Sequence, residues 1–362
     1  MGDNIGWFVA KSRQMTDDAA HSTLHLINPL RNPYGGSERR TLETARQLAC
    51  VAPVSVWCRR DAAPSLREEA CARVINPFLL SFPRRGTLVF VGTYFSVGRW
   101  ISLASPRRVV IIFNTDQPRW LRDNLSRIAH SGCSAEVIYT SRALRTRHGG
   151  AGPVLESPID LERFAFRNPH DAPAQPFTVG RLSRDDSSKH HADDPALYRR
   201  LAAAGIRVRL MGATCLAPQL AGTPGIELLP AGAQEPLEFL RTLDAFIYRT
   251  ADHWYEAFGR VVFEAMGAGV PVVCATRGGY AEHLTHGHTA LLCDSTDEMS
   301  AAVLALRADP QRAAAMASEA RVAAVAVQRN AQRQLVKLLA GRPQGDGEYA
   351  HDVFAATQSR GD

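Results

Sequence analysis

The sequence predicts a two-domain α/β protein in which each domain is an open parallel sheet covered by helices. A chain of 362 residues is too long for one ordinary domain, since domains average roughly 150 residues. Short apolar runs alternate with longer helical patterns, which is typical of a parallel sheet with helices on both faces. The alternation breaks over residues 164–176, where Asn, Asp, His and Pro crowd together as in a linker, and then restarts.

The first half of the chain contains six predicted strands and one clear helix. The helix spans 37–50, where Leu42, Ala45, Leu48 and Ala49 fall on one side. The strands are apolar runs at 24–30, 54–57, 87–91, 108–113, 136–139 and 154–156. Ligands bind at the carboxyl ends of the strands in such sheets, so polar residues that directly follow these runs are candidate site residues.

The second half repeats this organisation after the linker. Its predicted strands lie at 177–179, 207–211, 226–229, 245–248, 270–275 and 290–293. We expect an N-terminal extension (1–20), a first Rossmann-like domain (21–168), a second Rossmann-like domain (177–325), a C-terminal helix (326–341) that packs back on the first domain, and a disordered tail (342–362). Two such domains facing each other would form a central cleft.

Composition is typical of a globular protein and is compatible with a phosphate-bearing ligand. Apolar residues make up 45% of the chain and charged residues 22%. The net charge is +6, and only three of the 42 basic residues are lysines. Arginine binds phosphate through a fixed fork of donors, although arginine richness can equally follow genome composition.

Cysteine usage and hydropathy argue against several protein classes. The seven cysteines are odd in number and no two have C-x-x-C spacing, which argues against a disulfide framework and a zinc site. No apolar run is long enough to cross a bilayer, and the first twenty residues lack the apolar core of a signal peptide, so we expect a cytoplasmic protein without a nucleic-acid partner. Dibasic pairs at 39–40, 59–60, 84–85 and 107–108 leave two interpretations open, a solvated face or peripheral membrane contact.

Two glutamates, Glu256 and Glu264, flank the start of a predicted helix in the second half. Glu256 lies in the loop after the strand at 245–248, and Glu264 lies on a helix that runs from near Gly259 to near Gly269. A helix amino terminus that follows a strand presents free N–H groups and a positive dipole end, which suits a diphosphate. A carboxylate can accept two hydroxyl donors, so Glu256 suits sugar hydroxyls and Glu264 suits a ribose.

The competing interpretation of these glutamates is structural. Glu256 would be a charge at a helix end and Glu264 an ordinary surface residue. Glu264 lies between Phe263 and small residues in a mostly apolar helix, where a lone carboxylate needs a partner. We therefore favour the ligand-binding role.

This segment resembles the retaining GT-B glycosyltransferases of family 4, glycosyl transferases group 1. That family shows E-x7-E within E-x-F-G…E-A-M-x-x-G-x-P-V-V, and residues 256–273 fit this pattern. Three further stretches fit the family: Gly278, Gly279 and Glu282 after the motif, Gly180-Arg181-Leu182 at the start of the second domain, and Tyr34-Gly35-Gly36-Ser37-Glu38 in the first. The resemblance is specific in the second half and weaker in the first.

The resemblance implies a role for each matched position. Glu256 contacts the donor sugar and Glu264 the ribose, while the backbone at Ala257, Phe258 and Gly259 lies by the diphosphate. Arg181 and Lys189 neutralise the departing diphosphate, with Arg184 as an alternative to Lys189, because fixed positive charge at that oxygen lowers the barrier. Gly35 and Gly36 let the backbone of the first domain approach the donor.

One position departs from the family pattern. Where many members carry a histidine after a strand of the first domain, this chain has Asn114, Thr115 and Asp116. Asn114 and Asp116 are the candidates for that position, and we take Asn114 as the catalytic candidate. Either residue would equally serve as a turn or helix-cap residue.

The resemblance implies transfer of a sugar, with retention, from a UDP- or GDP-linked donor to an acceptor hydroxyl. The acceptor would be a saccharide, a lipid-linked saccharide or a small metabolite, and no cofactor or metal is expected. A sugar-nucleotide epimerase of the same fold and a non-catalytic nucleotide-sugar-binding protein are the alternatives. An NAD-dependent Rossmann enzyme is disfavoured, because no G-x-G-x-x-G follows the first predicted strand.

Overall fold

A computed structural model describes residues 23–164, 166 and 176–341 of the chain. These residues form two compact units, each built on a six-stranded parallel sheet. The first unit takes the described parts of Met1–Thr140, Arg145–Leu155 and Gln332–Asp362, and the second takes Ser141–Leu144 and Glu156–Ala331. The predicted N-terminal extension (1–20), most of the linker and the predicted tail (342–362) lie outside the described residues.

The sheet of the first unit has the strand order β3-β2-β1-β4-β5-β6. Its strands are β1 (Leu24–Ile27), β2 (Val54–Cys58), β3 (Arg73–Val74), β4 (Thr87–Val91), β5 (Arg108–Phe113) and β6 (Glu136–Tyr139). The helices between them are α1 (Gly36–Leu48), α2 (Pro64–Glu69), α3 (Ile101–Ala104) and α4 (Pro118–His130), and α5 (Arg142–Arg147) follows β6. Apolar side chains from β1, β4, β5 and β6 form one core, so these strands are buried on both faces.

The sheet of the second unit has the strand order β12-β11-β10-β7-β8-β9. Its strands are β7 (Thr178–Leu182), β8 (Arg207–Met211), β9 (Ile226–Leu229), β10 (Ala245–Tyr248), β11 (Val272–Ala275) and β12 (Leu291–Cys293). Its helices are α6 (Asp194–Ala203), α7 (Ala217–Leu220), α8 (Pro236–Leu240), α9 (Arg260–Ala268), α10 (Thr296–Ala308) and α11 (Pro310–Leu335). The two sheets share one architecture, as the alternation of strands and helices in the sequence predicts.

Two glycines delimit helix α9. Gly259 before it and Gly269 after it have φ of +80° and +79°, a left-handed conformation that glycine adopts without steric cost. Val262, Phe263 and Met266 of this helix are buried in the core of the second unit. The helix therefore begins and ends close to where the sequence predicts.

Apart from elements that the sequence did not predict, such as strand β3, the structure differs from the sequence prediction in three places. The predicted strand at 154–156 is only a single bridge between Tyr139 and Val154, because Pro153 and Pro158 flank it and interrupt pairing. Residues 156–164, expected in the first domain, lie in the second unit, where Ile159 and Leu161 join the core.

The third difference concerns the C-terminal helix. It does not start at residue 326, since α11 begins at Pro310 and ends at Leu335, followed by a π turn at Val336–Ala340. From Gln332 onward the chain belongs to the first unit, where Leu335 and Leu339 pack in the core beside the strands.

Candidate functional site

The carboxyl edge of the second sheet carries an ion pair between Lys189 and Glu256. Lys189 Nζ donates to Glu256 Oε2 at 2.7 Å, and the Tyr248 hydroxyl donates to the same oxygen at 2.8 Å. Tyr248 ends β10, Lys189 ends the short turn after β7, and Glu256 lies in the loop before α9. The two charged side chains are 10% and 16% exposed, so the pair still faces solvent on one side.

Charge and burial act in opposite directions on this pair. Burial alone would raise the pKa of Glu256, but the Lys189 ammonium and the hydrogen bonds from Lys189 and Tyr248 lower it below its ordinary value. Burial lowers the pKa of Lys189, and the Glu256 carboxylate opposes that effect. The result is a fixed cation next to a carboxylate that can accept sugar hydroxyls.

The loop before α9 is closely packed and depends on glycine. A Cβ atom at Gly259 would lie 2.5 Å from Tyr280 Cδ1, and one at Gly279 would lie 2.0 Å from the carbonyl oxygen of Ala257. Ala257 and Phe258 are buried in the second unit. The predicted backbone positions Ala257, Phe258 and Gly259 therefore lie at the amino end of a nine-residue helix.

Glu264 lies on α9, one turn after Arg260. Its carboxylate is 3.7 Å from the Arg260 guanidinium and is 12% exposed. Arg260 also donates to the hydroxyl of Ser157 at 2.8 Å. The partner expected for the Glu264 carboxylate is thus Arg260, its neighbour on the helix. The Glu264 side chain keeps a small accessible surface.

Arg181, expected at the departing diphosphate, lies within β7 and points to the interior of the second unit. Its guanidinium is fully buried and donates to Asp194 Oδ2 at 3.2 Å, to the Arg249 carbonyl at 2.9 Å and to the Lys189 carbonyl. The ring of Tyr248 lies 5.1 Å from its Cζ. An internal carboxylate and two carbonyls hold its terminal nitrogens, so the guanidinium does not face solvent. In the structure Arg181 fixes the backbone at Lys189.

Trp254 is a site residue that the sequence reasoning missed. Lys189 Nζ lies 4.7 Å and Arg184 Cζ 5.9 Å from the centroid of an indole ring of Trp254, which puts both cations against one aromatic surface. Arg184 is half-buried, and among the described residues its guanidinium makes no hydrogen bond or ion pair. An aromatic residue two positions before Glu256 was visible in the sequence, but its cationic neighbours were not.

Along the carboxyl edge of the first sheet, neutral side chains form hydrogen bonds with one another. Asn28 Nδ2 and Asn114 Nδ2 both donate to Ser37 Oγ, at 3.1 and 3.0 Å. The Tyr94 hydroxyl donates to Asn28 Oδ1 at 3.2 Å and to Glu38 Oε1 at 3.1 Å. Asn114, predicted from its place after β5, therefore belongs to a row of polar groups along this edge.

The glycine loop lies at the start of α1. Gly36 is the first residue of this helix and Gly35 precedes it. A Cβ atom at Gly35 would lie 2.0 Å from Glu38 Oε2, so the buried Glu38 carboxylate occupies the space a side chain would need. Burial and the Glu38 charge raise the pKa of Tyr94, so its hydroxyl stays a donor.

Asp116, the alternative to Asn114, contacts a histidine from a different part of the chain. Asp116 Oδ1 lies 2.5 Å from His148 Nε2, and Asp116 Oδ2 accepts from Arg147 Nε at 3.0 Å. His148 follows α5 and lies 32 positions further on in the sequence. Sequence reasoning missed it, since no spacing rule connects these two residues.

Metal-binding clusters, disulfides and membrane-spanning helices are all absent from the described residues. Within the described ranges, no group of three or more His, Cys, Asp or Glu side chains is arranged to hold a metal ion. All seven cysteines are free thiols. In the same part of the chain no helix is both long and apolar enough to span a bilayer.

The two units together define the GT-B fold. HepE of Anabaena, solved in complex with UDP-glucose, has a TM-score of 0.70 and 19% identity, and the match covers 88% of this chain and all of that one. WaaG, a glycosyltransferase involved in lipopolysaccharide biosynthesis, has a TM-score of 0.61 and 13% identity over 88% of this chain and all of that one. At these identities the likeness shows the fold.

Sequence similarity to known proteins covers part of the chain. A family model described as glycosyl transferases group 1 matches residues 209–323, which include Glu256, Glu264 and all of α9. D-inositol 3-phosphate glycosyltransferase of Rhodococcus opacus (strain B4) is 34% identical over 112 residues, or 29% of this chain. The corresponding enzyme of Rhodococcus jostii (strain RHA1) is 37% identical over 81 residues. These matches span 24% and 18% of the relatives' own lengths.

Proposed function

We propose that this protein is a retaining glycosyltransferase of group 1, family 4, that works without a metal. It moves a sugar from a nucleoside diphosphate to an acceptor hydroxyl. The observation that carries the proposal is the Lys189–Glu256 pair beside the amino end of α9, at the carboxyl edge of a parallel sheet. The match of residues 209–323 to glycosyl transferases group 1 supports it.

The donor site follows from the same residues. Glu256 accepts the hydroxyls of the donor sugar, Glu264 accepts the ribose, and the amino end of α9 receives the diphosphate. The donor is UDP- or GDP-linked, and we place UDP first because HepE, which shares the fold, was solved with UDP-glucose. Gly35 and Gly36 provide the approach of the first unit's backbone.

Two cations suit the leaving group. When the sugar–phosphate bond breaks, negative charge develops on the β-phosphate, and a fixed positive charge there stabilises the transition state. Lys189 and Arg184 both lie near the indole of Trp254, and Lys189 pairs with Glu256. We propose that these two residues stabilise the leaving diphosphate and that Arg181 positions Lys189. These cations take the part that a divalent metal plays in other phosphate sites.

Nucleotide titration tests this site. In calorimetry we expect Arg184→Ala to weaken UDP binding about tenfold, since a charge-assisted bond to phosphate contributes about 1.5 kcal/mol, and to leave uridine binding unchanged. Glu264→Ala should weaken UDP and uridine alike. Arg199→Ala, which removes an exposed arginine of α6, is the matched control. Equal losses of UDP and uridine in Arg184→Ala, or no loss, would contradict the assignment.

Product analysis separates the proposal from its alternatives. Glu256→Gln should lower turnover at least about tenfold, corresponding to a loss of about 1.4 kcal/mol of transition-state stabilisation. The linkage formed should keep the donor's anomeric configuration by NMR, and EDTA should not stop it. An epimerase would convert the donor with no acceptor present. A binding protein would hold the nucleotide with neither transfer nor donor hydrolysis.

Peripheral membrane contact is a further part of this proposal. Phe78, Leu79 and Leu80 are 93%, 75% and 64% exposed, which is unusual for three consecutive large apolar residues. Residues 70–115 contain six arginines and no acidic residue. An apolar tip with surrounding positive charge suits a surface of anionic lipid.

Vesicle flotation tests the membrane contact. The protein should float with phosphatidylglycerol vesicles and not with phosphatidylcholine vesicles, because the anionic surface attracts the arginines. The double variant Phe78→Ser, Leu79→Ser should reduce flotation at least about threefold. Full burial of each of these side chains in the membrane contributes roughly 1.5–3 kcal/mol to binding, and partial burial contributes less. Val322→Ser, at an exposed valine of α11, is the control. Unchanged flotation in the double variant would contradict the contact.

A further inference from the structure

His148 and Asp116 form a pair of titratable side chains beside the carboxyl end of β5. Asp116 lies three positions after Phe113, the last residue of β5, and His148 directly follows α5. The His148 ring stands edge-on to the Phe113 ring, with the centroids 5.3 Å apart and the planes at 73°. The 2.5 Å contact between His148 Nε2 and Asp116 Oδ1 and the Phe113 contact together hold the imidazole in one orientation.

The hydrogen-bonding chemistry of the pair leaves one ring nitrogen available. An ionised carboxylate only accepts hydrogen bonds, so Nε2 carries the proton and Nδ1 carries a lone pair. Within the described residues Nδ1 has no hydrogen-bond partner, and the side chain is 17% exposed. A neutral imidazole oriented by a carboxylate is a fixed hydrogen-bond acceptor.

The charges around the ring favour a neutral ligand. Burial alone would raise the pKa of Asp116, but the hydrogen bond with His148 and the charge of Arg147 lower it, so the carboxylate stays ionised. Arg147 Nε, 3.0 Å from Asp116 Oδ2, balances that negative charge. The Tyr139 phenol also packs against the Phe113 ring, with the ring centroids 5.8 Å apart. With Asp116 and Arg147 paired, the neutral ring suits a hydroxyl more than a phosphate.

The position of the pair continues the polar row of the first sheet. Asn114, two residues before Asp116, donates to Ser37 at the start of α1. Asp116 and His148 extend this edge past β5 toward β6 and α5, so the row runs across three of the six strands.

We propose that His148 and Asp116 form an acceptor-binding pair. His148 Nδ1 accepts a hydrogen bond from the hydroxyl that receives the sugar, and Asp116 holds the ring in the tautomer that allows this. The inference rests on the proposed function. The pair takes no covalent part in the transfer, and it orients the acceptor oxygen.

The pair acts on the acceptor alone. Its loss should therefore raise the KM for the acceptor, while kcat and nucleotide binding change little.

Nitrogen-15 NMR of the imidazole tests the pair without any reaction. At pH 8 the His148 signal, assigned by its absence in His148→Gln, should show a protonated Nε2 and a bare Nδ1. In Asp116→Ala that preference should be reduced, because the carboxylate that selects the tautomer is gone. His130, an exposed histidine at the end of α4, provides the reference signal. A protonated Nδ1 in the wild-type protein would overturn the proposal.

A transfer assay tests its role in the reaction. UDP-glucose is the donor, a panel of monosaccharides and myo-inositol supplies acceptor hydroxyls, and released UDP is measured. In His148→Gln we expect transfer to fall about tenfold through acceptor KM, and both donor hydrolysis and UDP affinity to stay unchanged. His130→Gln should match the wild type. Loss of transfer together with UDP affinity, or no loss of transfer, overturns the pair's role. A wild-type protein that binds no nucleotide contradicts the proposed function instead, and the tautomer still tests the pair.

Discussion

The carboxyl edge of the second sheet is held by ion pairs, whereas that of the first sheet is held largely by neutral amides and hydroxyls. In the second unit the buried Asp194 lies between the guanidinium groups of Arg181 and Arg249, and Lys189 pairs with Glu256. In the first unit Asn28 and Asn114 share the hydroxyl of Ser37. Two sheets of one architecture therefore carry edges of different character, with buried ion pairs in the second unit and shared amides and hydroxyls in the first.

The largest effect that would sharpen this comparison is expected from Asp194→Ala. Asp194 is 1% exposed and lies 3.2 Å from Arg181 and 2.6 Å from Arg249. Its removal leaves two buried guanidinium groups without a counter-charge, which should lower the free energy of unfolding of the second unit by about 3–5 kcal/mol. Urea unfolding measures this. Asp193→Ala, next to it but with a side chain 65% exposed, should stay within about 0.5 kcal/mol of wild type. Similar losses in both variants would show that the edge does not depend on its ion pairs.

A smaller effect is expected from Asn28→Ala in the first unit. Asn28 is fully buried, donates to the Val91 carbonyl at 2.8 Å and accepts from the Leu30 amide at 2.8 Å. The substitution leaves these buried backbone partners without a hydrogen bond, which should lower the free energy of unfolding by about 2–3 kcal/mol. The loss should be the same at every pH from 5 to 9, since no ionisable group is removed.

Asn28→Asp is the matched variant for this edge. Its oxygen would face the Val91 carbonyl in place of an N–H, and only a protonated carboxyl could donate there. Burial favours the neutral carboxyl and raises its pKa above the unfolded value, so the variant should be most stable at acid pH and lose stability as pH rises. A loss in Asn28→Ala that depends strongly on pH, or an Asn28→Asp variant that is insensitive to pH, would break the contrast between the edges.

The predictability of each region follows from how local its determinants are. Helix α9 was predictable because Gly259, Gly269 and the apolar residues between them lie in one short segment. Strand β3 was not, because two residues give no periodicity and the strand exists only by pairing with β2.

The same distinction applies to the site residues. Glu256 and Glu264 were identified from a motif within nine residues of sequence. The burial of Arg181 depends on Asp194 and on the carbonyl of Arg249, which lies 68 positions away. His148 reaches Asp116 only because β5 and β6 are neighbours in the sheet. Contacts of this kind require the fold before they can be seen.

The passage of helix α11 from one unit to the other has a practical consequence. Residues up to Ala331 belong to the second unit, and Leu335 and Leu339 complete the core of the first. A fragment that stops at Leu155 would lack those two leucines and the Leu338 carbonyl to which Arg108 donates at 2.7 Å. No single cut therefore yields the first unit intact. A recombinant version of it would need the stretch from Gln332 onward joined by a designed connection to a chain that ends at Leu155, as in a circular permutant.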